Sequence, residues 1–255
     1  ATIPFGRRVP SLEPGEVIAF AQALEVAAQD LGFEYISIGP ALPQLPESYK
    51  VIPHVLASTQ NVFVSGQMTT SDGVSLLAIR ACAEVIHKAA TISPDGFTNM
   101  RFAAVANVSP GAPFFPAAYH DDDVPSFALA MEAADLAVEA FTHAPDMSTA
   151  RQTLIKSLEH HGQELNIISC AEARKEGVPF SGIDFSMAPF PSETISFGGA
   201  MERLGVSKVG LHGSLAAAAI ITDTLDRARF PRAGFNGLMT AMRLARVAAR
   251  PLGTS

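Results

Sequence analysis

Tryptophan is absent, and only two cysteines, Cys82 and Cys170, occur in 255 residues. The two lie far apart and form no CxxC pair, so neither a zinc knuckle nor a disulfide framework is indicated. Both fall in apolar helical patterns, which predicts buried, reduced thiols. Charge is sparse at 17% of residues, and the net value is -7. The one Arg-rich stretch, Arg243 to Arg250, sits on a helical pattern. Phosphate binding needs clustered cations, so nucleic acid is not an expected partner. No apolar run reaches bilayer-spanning length, so no membrane association is expected. The first ten residues hold two arginines but no apolar stretch and do not read as a secretory leader. A cytoplasmic location is the expectation. Walker A, GxSxG, GxGxxG and HExxH signatures are all missing.

What is present is a large apolar fraction, 48%, enough for a sizeable core and too much for a disordered chain. The pattern repeats helix, Gly/Pro break, short strand. Apolar residues at Val17, Ile18, Ala21, Leu24, Ala28 and Leu31 predict a helix that stops at Gly32. Strands are predicted at Tyr35–Ile38, Asn61–Val64, Met100–Val108 and Ser181–Met187. The Met100–Val108 run is apolar on both faces, as a buried parallel strand is. Further helices are predicted near Tyr49–Ser58, from a Ser71-Asp72-Gly73 cap through Ala90, and over Pro125–Phe141, Ser148–Ala173, Thr194–Leu204, Gly213–Arg227 and Phe235–Ala249. Alternating strands and helices imply an α/β fold with parallel strands and right-handed crossovers. No low-complexity linker divides the chain, so residues 1–255 read as a single α/β domain.

The candidate site residues lie where strands end. Asn107 opens a loop stiffened by Pro110, Pro113 and Pro116, which delivers Tyr119 and His120 and then Asp121-Asp122-Asp123. A rigid loop suits a site, because preorganised groups lose little entropy on binding. His120 beside carboxylates suits proton transfer or a divalent metal. The bland alternative makes the aspartates the cap of the helix predicted from Pro125. Asp184 interrupts an apolar strand, with Ser186 after it. Such a carboxylate faces a ligand crevice or is satisfied by neighbouring backbone or an arginine. His212-Gly213-Ser214 precede an Ala-rich helix, where free N–H groups could take an anion, with Ser214 as a plain cap the alternative. Arg101 reads as a structural ion-pairing residue rather than a carboxylate binder.

Three blocks carry a resemblance: GFTNMRFAAVANVSPGAPFFPAAYH from Gly96, GVPFSGIDFSMAPFP from Gly177, and GSLAAAAIITDTLDRARFPRAGFNGLM from Gly213. Together they resemble the family catalogued as domain of unknown function 711, which is UPF0210-related and also described as pyruvate formate-lyase-like. The resemblance implies a fold similar to the α/β barrel of the glycyl radical enzymes, but not their chemistry. Radical catalysis of that kind needs a glycine in a C-terminal motif and a cysteine on a central loop. The sequence here ends Arg250-Pro251-Leu252-Gly253-Thr254-Ser255, and both cysteines sit on predicted helices, so no glycyl radical is expected. Relatives of this kind are longer, with strands before the point where this sequence begins. A barrel short of strands has open edges to cover, which leads to the expectation of a homo-oligomer. The resemblance brings no established activity.

The functional expectation is an enzyme acting on a small anionic metabolite by acid–base chemistry. His120, Asp184 and His212 are its candidate catalytic residues. Asn107, Tyr119, Ser186, Gly213 and Ser214 are its candidate substrate-binding residues. The alternatives are a metabolite-binding or regulatory protein without catalysis, and a subunit that needs a partner chain.

Overall fold

The computed structural model describes residues 1–122, 124–188, 192 and 195–239. The chain divides into two compact units, residues 1–125 and 126–255. Both are α/β, with parallel strands alternating with helices.

In the first unit, α1 (Pro14–Asp30) starts with proline in its first turn, where the missing N–H costs nothing. It leads to β1 (Ile36–Ala41), α2 (Glu47–Ser58) and β2 (Val62–Gln67). A small antiparallel hairpin follows, β3 (Thr69–Thr70) and β4 (Gly73–Val74), then α3 (Leu76–Ala89) and β5 (Phe102–Val105). The sheet order is β1-β2-β5, all parallel. One face of β2 presents Val62, Val64 and Gly66 to a core that includes Ile52, Leu56, Cys82 and Val85. Gly66 is required there: a Cβ would stand 2.7 Å from Cys82 Sγ. The Cys82 thiol donates to the Gly66 carbonyl, and burial pushes its pKa up to about 11. On the other face, Phe63 packs edge-on against both Tyr35 and Phe115.

The second unit runs β6 (Phe127–Ala130), α4 (Ala134–Thr142), α5 (Met147–Glu176), β7 (Phe180–Asp184), α6 (Phe197–Arg203) and α7 (Ser214–Arg227). β6 and β7 are parallel, and isolated parallel bridges pair Ile183 with Arg232 and Met187 with Leu238. Its core includes Leu154, Leu158, Ile183, Phe185, Met201 and Ile221, all buried. α5 is capped by Asp146, whose carboxylate accepts from Thr149 N at 2.8 Å, and it ends at Gly177 in the left-handed region (φ 70°).

Several expectations need correction. Ser71-Asp72-Gly73 does not start a helix: it spans the hairpin turn, and the helix begins at Leu76, capped by Ser75. Pro125–Phe141 is not one helix, since residues 127–130 form β6 and the helix starts only at Ala134. Asp122 therefore caps no helix; its carboxylate accepts from Val124 N at 2.9 Å and closes a turn. Arg101 has no carboxylate in its hydrogen-bonding set. Its buried guanidinium donates to the carbonyls of Leu56, Thr59 and Val62 and to the Thr59 hydroxyl. Cys82 is buried, but Cys170 is only partly so. Of the predicted helix Phe235–Ala249, residues 240–249 lie outside the described residues, and 235–239 hold a β-bridge instead. No closed barrel forms among the described residues. None of their helices is long and apolar enough to cross a membrane.

Candidate active site

In an open parallel sheet, ligands bind beyond the carboxyl ends of the strands. The first unit has a cleft there, of about 450 Å³. Gln44 comes from the chain after β1. Gln67 ends β2, and Thr69, Thr70 and Ser71 follow on the hairpin. Asn107, Ser109 and Tyr119 come from the segment after β5. The three parallel strands thus each deliver residues to one rim.

The rim is held by hydrogen bonds that bridge its segments. Asn107 N–H donates to Thr69 Oγ1 at 3.2 Å, tying the post-β5 loop to the hairpin. Asn107 adopts a left-handed backbone (φ 57°), a region in which asparagine is among the few side-chain-bearing residues at ease. Tyr119 is buried and donates its hydroxyl to the Val108 carbonyl at 2.8 Å, clamping the two ends of the loop. Burial pushes its pKa up, with Asp121 adding to the rise and Arg7 opposing it. Gly111 N–H donates to Tyr119 O at 2.7 Å, completing the clamp. From beneath, the Tyr49 hydroxyl donates to the Gln67 carbonyl at 2.5 Å. Among the described residues, no protein hydrogen bond engages the side-chain amides of Gln44, Gln67 or Asn107. These three amides are among the groups left to recognise a ligand.

His120, next to Tyr119, is outside the cleft lining. Its backbone N–H donates to Thr2 O at 3.3 Å, and its Nδ1 is buried without a partner. The other sequence-predicted residues belong to the second unit. Asp184 ends β7, fully buried. Its Oδ1 accepts from Ser186 N (2.9 Å) and Ser186 Oγ (2.5 Å), and its Oδ2 from Phe235 N (3.1 Å). Burial raises its pKa, opposed by those hydrogen bonds, Ser186 foremost. Ser186 Oγ also accepts from Gly237 N at 3.1 Å. Asp184 and Ser186 therefore join β7 to residues 235–237. His212 is exposed, and Gly213 (φ 91°) stands at the start of α7. The Ser214 hydroxyl accepts from Gly210 N and donates to Leu211 O, closing the turn before the helix.

Of the residues singled out in the sequence, Asn107 and Tyr119 line this cleft. Gln44, Gln67, Thr69, Thr70 and Ser71 were missed, because neutral amides and hydroxyls at strand ends leave no spacing motif. No group of three or more His, Cys, Asp or Glu that could hold a metal occurs among the described residues.

A family model described as Uncharacterised ACR (DUF711) matches residues 1–243. The chain belongs to the DUF711 family. It is similar to the UPF0210 protein of Acetivibrio thermocellus, 28% identical over 239 residues, which cover 88% of this chain and 52% of the relative. A UPF0210 protein of Clostridium botulinum (strain Eklund 17B / Type B) is 27% identical over 248 residues, covering 88% and 55%. One of Listeria monocytogenes serotype 4a is 28% identical over 229 residues, covering 83% and 50%. The chain spans about half the length of these curated relatives. DUF711 is thus a family of uncharacterised proteins with no assigned function, and this member is a protein of unknown function.

Proposed function

We propose that this DUF711 chain binds a small polar metabolite in the cleft at the carboxyl ends of β1, β2 and β5. The observation that carries the reading is the trio of unengaged amides, Gln44, Gln67 and Asn107, on one rim braced by Tyr119 and Tyr49. Carboxamides offer both donors and acceptors, and a braced backbone beneath them lowers the ordering cost to that of the side chains themselves. The volume falls in the range of small-molecule sites. The test is calorimetric titration of the full chain with a panel of small metabolites, repeated on Asn107→Gly and Gln67→Ala. Glycine keeps the left-handed backbone at 107 while removing the amide. A ligand whose binding both variants weaken supports the reading; ligands that bind both variants normally sink it.

Catalysis is a second reading, favoured by one observation: the buried, unpartnered Nδ1 of His120. It proposes non-radical acid–base chemistry, with His120 as the proton-transfer group and with Asp184 and His212 as the other candidates. Asp184 already accepts three donors, so the greater part of the work falls to His120. An anionic metabolite is supported only by the start of α7, where Gly213 and His212 remain after Ser214 is engaged. His120→Gln should abolish turnover of the identified ligand while sparing its binding; unchanged turnover removes the catalytic reading. The barrel architecture of the glycyl radical enzyme type, a homo-oligomer and a cytoplasmic location extend this proposal to the whole protein. The parallel βαβ order in the first unit is what supports the first of these.

A further inference from the structure

We infer that the metabolite of this cleft is uncharged and hydroxyl-rich, a monosaccharide or polyol rather than an anion; the inference rests on the cleft being a binding site. The first ground is the lining. It consists of carboxamides, hydroxyls, Val108, Pro110 and Tyr119, with no Lys, Arg, Asp or Glu among its described residues. A carboxylate or phosphate taken out of water needs a cation or several convergent N–H donors.

The second ground is the backbone. Anion sites lacking cations are built from free main-chain N–H groups. Here part of that supply along the rim segments is already spent inside the protein. Asn107 N–H donates to Thr69 Oγ1, Met68 N–H to Val105 O, Gly111 N–H to Tyr119 O, and Asp72 N–H to Thr70 Oγ1.

The third ground is the field. Residues 1–125 hold six Lys and Arg against twelve Asp and Glu, a net of -6 out of the chain's -7. Asp72, on the hairpin beside Ser71, places one of those carboxylates close to the rim. An anion would approach this unit against repulsion. A cation would be attracted, but no carboxylate lines the cleft to receive it once it loses water. What fits is a ligand whose groups donate and accept at once, as a sugar hydroxyl does and as each of the three amides does in return.

The test is calorimetric titration of the full chain with matched probes: glucose, ribose and mannitol as neutral members, gluconate and glucose 6-phosphate as anionic counterparts, glucosamine as the cationic one. The expected result is binding of at least one neutral probe, at least about tenfold tighter than its charged counterparts, since each charged group would be desolvated without a partner. Its affinity should not change with salt, and Asn107→Gly and Gln67→Ala should each weaken it about tenfold. Gluconate or glucose 6-phosphate binding as tightly as glucose, and lost in the same two variants, would overturn the uncharged class while leaving the cleft reading standing. The same holds for glucosamine. No probe bound, or binding indifferent to both variants, would overturn the inference, and indifference would take the cleft reading with it.

Discussion

The Ser186 hydroxyl donates to the Asp184 carboxylate at 2.5 Å while accepting from Gly237 N–H, and both side chains are completely buried. A two-residue relay thus fastens the 235–237 segment to the end of β7. Asp184→Ala would leave the buried N–H of Ser186 and the partly buried N–H of Phe235 without acceptors, at a cost of about 3 kcal/mol. The urea midpoint of the full chain should fall accordingly. Ser186→Ala, which removes the hydroxyl but spares two of the three donors to Asp184, should cost about half as much.

Asp184 also predicts a pH dependence. Its pKa is raised in the folded chain, so the fold favours the protonated form. The stabilising contribution is complete below the ordinary aspartate pKa and is lost as pH rises through the raised folded value. Asp184→Asn cannot ionise. The stability difference between wild type and this variant should therefore shrink as pH rises across that window. Denaturant midpoints measured from the ordinary aspartate pKa upward check this; a difference that grows with pH would contradict it.

Arg101 caps the far end of the first unit's sheet, away from the cleft. Its guanidinium serves the carbonyls of Leu56, Thr59 and Val62, while Glu25 accepts from Gln60 N and Asn61 N across the same turn. Arg101→Ala should cost about 3–4 kcal/mol, through orphaned carbonyls and a cavity. Arg101→Lys should recover only part of this, because an ammonium lacks the planar fork. Thermal melts give the ranking, and the affinity of the folded fraction for its ligand should not change.

Two glycines separate backbone strain from steric collision. Gly177 has φ 70° and open space around it, so Gly177→Ala should cost about 1 kcal/mol. Gly182 has φ 126°, and a Cβ there would lie 2.6 Å from the carbonyl carbon of Arg232. Gly182→Ala should cost several times more, about 3 kcal/mol or above, because the parallel pairing of Ile183 with Arg232 must give way. Equal melting temperatures for the two variants would refute this ordering.

Much of the α/β alternation was legible because it depends on local pattern. The Tyr35–Ile38 and Asn61–Val64 stretches are apolar enough to be read as strands without tertiary information. Phe127-Ala-Leu-Ala was not, since four apolar residues beside a helix-forming segment fit either period; pairing with Phe180 and Ile183 decides for a strand. Ser71-Asp72-Gly73 misled because serine and aspartate serve turns and helix caps alike, and the true cap is another serine four residues on. The lining of the candidate cleft was legible only in part. A Pro-rich loop advertised Asn107 and Tyr119, but Gln67 becomes a rim residue only through the register that sets it opposite Val105. That register is set by long-range pairing, which no local spacing records.

The bond from Tyr49 to the Gln67 carbonyl crosses from the buried face of α2 to the base of the cleft rim. The position of that rim is therefore governed from within the core, by a phenol that does not line the cleft. Exchanges among the residues packed around Gly66, Cys82 and Tyr49 would retune the shape of the cleft without altering a single group that lines it. Selectivity in such a protein could drift through its interior while its visible recognition surface stayed the same.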